Sequence, residues 1–438
     1  MQRVPPNEIH ATLGRHLLLS GHPLVLDLGE SRGTLARDAL TGADYLDFAG
    51  FYGSNALGFR HPKLVDAATR ERLLGAATVK VGNPDFYTEE YATFVATLER
   101  TAAPPTHPHY FFIEGGALAV ENAMKTAMDW KVRKNLAAGR GEQGTEVLHF
   151  QHAFHGRAGY TLSVTNTDPA KTLYFPKFDW PRVPTPAARF PLVGENLERT
   201  REAEAASVAA IEAAFDARPH RIAAILIEPI QGEGGDHHFR PEFFRELRRI
   251  ADEREALLIF DEVQCGAGVT GKWWAHEHAG VAPDLLCFAK KMQVGGFFAS
   301  RRIDDVDNVF KVPSRISSTW GGSLVDMVRA TRILEIIVED GLLENARQRG
   351  DELLRELQAL EGEFPALISN ARGRGLFAAI DLPTTKQRSE LVKRCFAERL
   401  LVLACGDRSV RFRPALTVSA DDVGDAAKRL RRALAGLG

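Results

Sequence analysis

The sequence lacks the features that mark membrane, secreted and nucleic-acid-binding proteins. No apolar run reaches about 18 residues, and the opening stretch MQRVPPNEIHATLGRH contains no continuous apolar segment like that of a secretory signal. The 55 lysines and arginines nearly balance 57 aspartates and glutamates, giving a net charge of -2. Bulk charge therefore gives no reason to expect nucleic acid or a membrane as a partner, and we expect a soluble cytoplasmic protein.

Cysteine is scarce, and its spacing matches no known metal or redox motif. The 4 cysteines form no C-x-x-C pair, so we expect reduced thiols rather than disulfides. Several histidines are close neighbours, among them His152 and His155, but none has a spacing typical of zinc ligands. We therefore expect no catalytic metal.

One glycine pattern suggests a nucleotide site but stands in the wrong setting. GRGEQG, from Gly139 to Gly144, fits G-x-G-x-x-G, yet a dinucleotide fingerprint needs a strand before it and a helix after it. Here a long helical pattern precedes the glycines and the strand-like TEVLHF follows, which predicts a simple turn. A nucleotide-dependent oxidoreductase is the alternative that the opposite order would favour.

The pattern of elements predicts an α/β protein with a small lobe. Residues 1–75 read as a short helix and hairpin-like strands, whereas from about residue 110 short apolar strands alternate with helices. Such alternation predicts a mostly parallel, helix-covered sheet. We place the large domain at 76–325 and a C-terminal α+β domain at 326–438.

Charged residues follow the predicted strands of the large domain. Glu228, Asp261 and Lys290 each come at the end of an apolar strand, where open α/β sheets bind their ligands. Gly115 and Gly116 lie between a strand and a helix, where backbone N–H groups can hold a phosphate. Each feature alone has a structural explanation, but a lysine, an acid and a phosphate cradle together are what pyridoxal 5′-phosphate requires.

Six ordered motifs carry a resemblance to one family across essentially the whole chain. They are EGGALAVENAMK, FHGRAGYTLS, EPIQGEGGDHHFRPEFF, the stretch from FDEVQCG to AKKMQVGG, STWGG and SVRFRPALTV. The sequence resembles the fold-type-I, class III pyridoxal phosphate aminotransferases. The resemblance implies a mostly parallel central sheet of the seven-stranded type, a small α+β lobe formed by both termini, and a homodimer with shared active sites.

The resemblance also implies how the cofactor is held. Lys290 would bond to the cofactor aldehyde, with Lys291 structural or solvent-facing, and Asp261 would pair with the ring nitrogen. The other cofactor contacts that it implies are Gly116 and Ala117 at the phosphate, Phe154 on the ring face, Glu228, Gln264 near the phenolic oxygen, and Thr319 reaching the phosphate from the neighbouring subunit.

Four residues are implied in substrate binding. Arg157 would hold the end of the substrate remote from the reacting amine, and Arg411 would bind the α-carboxylate of 2-oxoglutarate or glutamate. Glu233 would neutralise Arg411 when no carboxylate is present and swing aside when one arrives, a movement that the flanking glycines in QGEGGD would permit. Ser317 stands where members acting on lysine commonly carry asparagine.

Within this family, the sequence most resembles the members that act on lysine. It implies transfer of the terminal amino group of L-lysine to 2-oxoglutarate, giving 2-aminoadipate 6-semialdehyde and L-glutamate. Ser317 and MQVGGFFAS depart from that branch, so 4-aminobutyrate or ornithine as donor remains the alternative.

Overall fold

The computed structural model describes residues 3–437. Its α-helices are α1 (Ile9–Gly14), α2 (Ala67–Ala77), α3 (Glu89–Thr101), α4 (Gly116–Ala137), α5 (Gly159–Val164), α6 (Gly194–Ala217), α7 (Pro241–Glu253), α8 (Leu324–Glu339), α9 (Leu342–Glu363), α10 (Thr385–Ala397) and α11 (Ala420–Ala435). Its strands are β1 (Leu35–Arg37), β2 (Asp44–Asp47), β3 (His109–Ile113), β4 (Glu146–Phe150), β5 (Arg182–Val183), β6 (Ile222–Ile227), β7 (Ile230–Gln231), β8 (His237–His238), β9 (Leu257–Asp261), β10 (Leu285–Phe288), β11 (Gly295–Ala299), β12 (Ser369–Arg374), β13 (Phe377–Asp381), β14 (Leu400–Leu401), β15 (Leu403–Cys405) and β16 (Ser409–Phe412).

The central sheet has 7 strands in the order β3-β11-β10-β9-β6-β4-β5. The neighbours from β10 to β5 pair in parallel, whereas β11 runs antiparallel to both β3 and β10. Every residue of β6, β9 and β10 is buried, which explains their continuous apolar sequences. The predicted mostly parallel sheet is confirmed.

Helix α4 covers one face of this sheet. Val120, Ala123, Met124 and Ala127 recur at helical spacing and are all fully buried, in one core cluster with residues of β6, β9 and β10. The loop after α4 contains Gly139 and leads directly into β4. The glycine pattern there is therefore a turn from helix to strand, as its order predicted.

Both ends of the chain build the small lobe. β14, from the C-terminal part, pairs in parallel with β2, which itself pairs antiparallel with β1. A second sheet, β12-β13-β16-β15, is antiparallel and packs against α9. The two termini thus share a sheet, while the predicted limits at 75 and 325 stay predictions. No helix among residues 3–437 is long and apolar enough to cross a membrane.

Candidate active site

The predicted strand-end residues meet at one edge of the central sheet. Glu228 directly follows β6, Asp261 ends β9 and Lys290 comes just after β10, so these parallel strands deliver all three to the same side. All three line one cavity of about 570 Å³. This cavity is the candidate active site.

Lys290 stands at the start of a tight turn with its amine in the cavity. Its φ is +46°, a conformation that a residue with a side chain adopts only when its surroundings impose it. Burial lowers the pKa of the Lys290 amine, and the negative charge of Asp261, which acts to raise it, is the smaller effect. A lower pKa increases the fraction of neutral amine, which is the form that attacks a carbonyl.

Asp261 is held rigidly at the floor of the cavity. One carboxylate oxygen accepts a hydrogen bond from the backbone N–H of Val263 at 3.0 Å, and the other lies 2.7 Å from Nδ1 of His155. Both side chains of the Asp261–His155 pair are almost fully buried. The pair fixes the orientation of the carboxylate.

Sequence reasoning missed His155, because it considered the residue only as a possible metal ligand. The histidine and Asp261 are 106 positions apart in the chain, and no local spacing signals the contact. The other ring nitrogen, Nε2, is buried without a hydrogen-bond partner, so the Asp261 contact is the only polar one that orients this ring within the described residues.

The start of α4 forms a narrow cradle beside the cavity. Gly115 has φ of +87°, and a Cβ on Gly116 would lie 2.7 Å from a methyl group of Val263. Gly156, in the loop after β4, approaches the start of α4 equally closely, since a Cβ on Gly156 would lie 2.4 Å from that of Ala117. Side chains at Gly116 and Gly156 would crowd the cradle, which otherwise offers backbone N–H groups and the positive end of a 22-residue helix to an anion.

These residues fit pyridoxal 5′-phosphate. The cavity offers a phosphate cradle at Gly116 and Ala117, an amine with a lowered pKa at Lys290, and an oriented carboxylate at Asp261. Phe154 lines the same cavity and is partly buried. The arrangement thus provides one group for each part of the cofactor.

Glu228 connects two loops of the site. Its carboxylate oxygens accept hydrogen bonds from the backbone N–H of Phe154 at 2.9 Å and of Gly232 at 3.1 Å. Burial raises its pKa to about 7, with His155 acting against that shift and Asp261 adding to it. Glu228 lines the cavity and positions both Phe154 and the loop that carries Glu233.

The second lysine of the pair is buried and structural. The Lys291 ammonium donates to the carbonyl oxygens of Gly53 at 2.9 Å and Asn55 at 3.1 Å, and the side chain is 2% exposed. Burial, reinforced by Arg413, lowers its pKa to about 7. Of the two alternatives for Lys291, the solvent-facing one is wrong, because the amine anchors the 53–55 turn of the small lobe.

Arg411 and Glu233 form an ion pair at the side of the site. Nη2 of Arg411 lies 2.6 Å from a Glu233 oxygen, and Nη1 donates to Gln264 at 3.2 Å. Gln264 also lines the cofactor cavity, so it joins the ion pair to that cavity. Arg411 is 1% exposed, which makes an unpaired state of its charge costly.

The glycines around Glu233 are needed for close packing. A Cβ on Gly232 would lie 2.2 Å from the Gln264 side chain, and one on Gly234 would lie 2.0 Å from the carbonyl oxygen of His152. The Glu233 carbonyl is also fixed, since it accepts a hydrogen bond from Gly406 at 2.8 Å. These contacts confine the backbone on both sides of Glu233, so the predicted movement of Glu233 away from Arg411 stays a prediction and would be a rotation of its side chain.

The remaining predicted residues divide into two groups. Arg157 lines the cavity and is exposed, in a position to meet a substrate carboxylate. Ser317 and Thr319 are exposed and do not line the cavity of their own chain. Among residues 3–437 no group of histidine, cysteine and acidic side chains has a geometry that could hold a metal, and all 4 cysteines are free and buried.

Comparison with known proteins identifies the family. The sequence profile of the class-III aminotransferase family matches residues 19–434 of this chain. The chain is 52% identical over 432 residues to L-lysine-epsilon aminotransferase of Mycobacterium tuberculosis, covering 98% of this chain and 96% of the relative. It is 48% identical to the enzyme of the same name from Amycolatopsis lactamdurans, with the same coverage, and 32% identical to human mitochondrial 4-aminobutyrate aminotransferase, covering 88% and 80%.

Solved structures agree with this result. Lysine aminotransferase from M. tuberculosis, in the internal aldimine form, superimposes with a TM-score of 0.97 at 50% identity, covering 99% of this chain and 100% of that one. An ornithine aminotransferase from Toxoplasma gondii has a TM-score of 0.80 at 21% identity, which supports the fold alone. The fold is that of the fold-type-I transferases that use pyridoxal 5′-phosphate, as the sequence predicted.

Proposed function

The chain belongs to the class-III aminotransferases, and from this premise we propose that it transfers the terminal amino group of L-lysine to 2-oxoglutarate. The products are 2-aminoadipate 6-semialdehyde and L-glutamate. The semialdehyde carries an amine and an aldehyde in one molecule, so it cyclises to piperideine-6-carboxylate. The choice of lysine over 4-aminobutyrate rests on the 52% and 32% identities to the respective relatives.

The observation that carries the substrate class is the ion pair between Arg411 and Glu233 at 2.6 Å. A terminal amine has no carboxylate next to its reacting carbon, so a free arginine there would face the substrate unpaired. Glu233 neutralises Arg411 for this half-reaction. When a 2-oxo acid binds, its α-carboxylate competes for the same planar guanidinium, which suits a carboxylate bidentately.

Pyridoxal 5′-phosphate supplies an electron sink and carries the amino group between the two substrates. Lys290 would hold it covalently, and its amine, once freed by the substrate amine, would carry the proton between the reacting substrate carbon and the C4′ carbon of the cofactor. Asp261 holds the proton on the ring nitrogen, and His155 keeps that carboxylate oriented. Arg157 binds the carboxylate at the far end of either substrate. The two half-reactions alternate, which predicts ping-pong kinetics.

We further propose a homodimer in which each subunit completes the site of its partner. Large apolar side chains around the loop that carries Thr319 are exposed: Tyr87 by 84%, Phe86 by 71% and Trp320 by 40%. The same region holds Ser317 and Thr319 away from their own cavity. A twofold interface there would cover the apolar side chains and bring Thr319 to the partner's phosphate cradle.

A donor panel tests the proposed substrate. Initial rates with 2-oxoglutarate are to be compared for L-lysine, 4-aminobutyrate and L-ornithine. The proposal predicts the highest kcat/KM for L-lysine, with a cyclic imine as product. A higher kcat/KM for 4-aminobutyrate or ornithine would contradict it and leave the aminotransferase chemistry intact.

Replacing Glu233 with alanine is expected to separate the two half-reactions. The lysine half-reaction should lose about tenfold or more in kcat/KM, because Arg411 is left without its partner. The glutamate half-reaction should be unchanged or faster, because nothing competes for Arg411. Single-turnover absorbance changes with each donor measure both effects, and Arg411→Ala provides the opposite pattern as a control. Equal losses in both half-reactions of Glu233→Ala would refute the role of this pair.

A further inference from the structure

Glu233 has a second cationic partner that the reaction as described does not use. Nζ of Lys171 lies 2.6 Å from Oε1 of Glu233, while Arg411 contacts the other oxygen, Oε2. Burial alone would raise the pKa of Glu233, but Arg411 and Lys171 outweigh it and hold the pKa below its ordinary value. One carboxylate is thus shared between two cations.

The position of Lys171 is fixed by its own turn. It ends a short 3-10 helix, Pro169–Lys171, whose start is capped by the Asp168 side chain. Its ammonium also lies 5.4 Å from the ring centre of Phe154, which lines the cofactor cavity. Lys171 is therefore held beside the site, and Glu233 is its only ion-pair partner among residues 3–437.

Lys171 and Glu233 also border a second cavity. This cavity has a volume of about 330 Å³ and shares no lining residue with the one around Lys290. Its other walls come from the start of α10, where Arg388 lies, and from the turn between β15 and β16. If the Glu233 side chain rotates away from Arg411, the second cavity offers space for its carboxylate, and Lys171 at the border of that cavity offers a cation.

We propose that Lys171 is a positioning residue that holds Glu233 after it releases Arg411, and so sets the affinity of the site for the 2-oxo acid. The inference rests on the proposed function of the Arg411–Glu233 pair. It adds a third member to that pair: when Glu233 releases Arg411, the carboxylate keeps Lys171 as a cationic partner and is not left alone.

Lys171 contributes more to the state with 2-oxoglutarate bound than to the state with lysine bound. With lysine bound, Arg411 and Lys171 both hold Glu233, so loss of one partner leaves the other. With 2-oxoglutarate bound, Arg411 is occupied by the substrate, and Lys171 is the remaining partner of Glu233. Removing Lys171 therefore destabilises the second state more than the first and favours Glu233 staying on Arg411.

The test is the variant Lys171→Met, which keeps the length of the side chain and removes its charge. Starting from enzyme loaded with pyridoxamine 5′-phosphate, its KM for 2-oxoglutarate should rise about tenfold, the size expected for a lost charged hydrogen bond, with kcat little changed. The KM for L-lysine should stay within about twofold. Lys171→Arg should restore the KM for 2-oxoglutarate, because it keeps a cation in reach of Glu233.

Two controls separate this role from others. Lys386→Met removes the same charge from an exposed residue at the start of α10 that has no contact with Glu233, and it should leave both KM values unchanged. In the Glu233→Ala background, Lys171→Met should have no further effect on the KM for 2-oxoglutarate, because Lys171 acts through Glu233.

Three results would overturn the inference. They are an unchanged KM for 2-oxoglutarate in Lys171→Met, an equal rise in both KM values, and a rise that persists in the Glu233→Ala background, which would mean direct contact with substrate. Failure of the proposed donor is distinguishable, because the unmodified enzyme would then have a higher kcat/KM for another donor than for L-lysine, whereas the 2-oxoglutarate half-reaction is measured without any lysine.

Discussion

Replacing Lys290 with alanine is expected to abolish transamination, with a loss of at least about 10⁴-fold in kcat. The reason is that one amine has two tasks. It would hold the cofactor covalently, and once displaced it would move the proton; among residues 3–437, Lys290 is the only lysine that lines the cavity. The absorbance band of the lysine-bound cofactor should disappear with it. Spectra of the purified variant after addition of pyridoxal 5′-phosphate measure this directly.

Lys291→Met is the matched control, because it removes the neighbouring amine and leaves Lys290 in place. The absorbance band and the chemistry should be retained. Stability should fall by about 1–3 kcal/mol for each buried carbonyl left unpaired, those of Gly53 and Asn55. Borohydride reduction followed by peptide mapping gives the independent check. Cofactor fixed to Lys291 rather than Lys290 would show that the assignment is wrong.

Asp261→Asn is expected to slow proton transfer by several orders of magnitude while the cofactor stays bound. A neutral amide cannot hold the ring nitrogen protonated, so the electron sink is weakened. For scale, a similar isosteric change in the triad of a serine protease lowers kcat about 10⁴-fold. Proton transfer is measured by comparing single-turnover rates with ordinary L-lysine and with L-lysine that carries deuterium on the carbon bearing the terminal amine.

The geometry around Asp261 provides a finer test of the same claim. The Asp261 carboxylate accepts a hydrogen bond from Nδ1–H of His155 at 2.7 Å, and among residues 3–437 this is the one polar contact through which the His155 ring acts on the site. His155→Gln should therefore reduce the rate far less than Asp261→Asn. Near-normal turnover in Asp261→Asn would contradict the electron-sink role.

The parts of the site that follow strand order were predictable from the sequence. Buried strands can be recognised in the sequence by their continuous apolar residues. Because parallel strands bring their carboxyl ends to one edge of the sheet, Asp261 and Lys290 lie close together whatever their separation in the chain. Glycines between a strand and a helix likewise indicate an anion cradle. These rules depend only on local pattern and on the geometry of the sheet.

Contacts between side chains from distant segments were not predictable in this way. His155 meets Asp261 across 106 positions, and Lys171 meets Glu233 across 62. Nothing in the residues near each partner indicates the contact, because it depends on how loops pack after the sheet has formed. The glycines near Glu233 illustrate the same limit: their composition suggests freedom, whereas the packing shows confinement.

Transfer of labelled nitrogen tests the central claim most directly. The enzyme is given 2-oxoglutarate with L-lysine that carries ¹⁵N on either the terminal or the α-amine, and the glutamate formed is examined by mass spectrometry. The account predicts ¹⁵N in glutamate from the terminally labelled lysine and none from the α-labelled one. Label in glutamate from α-labelled lysine, or no labelled glutamate from either, would contradict it.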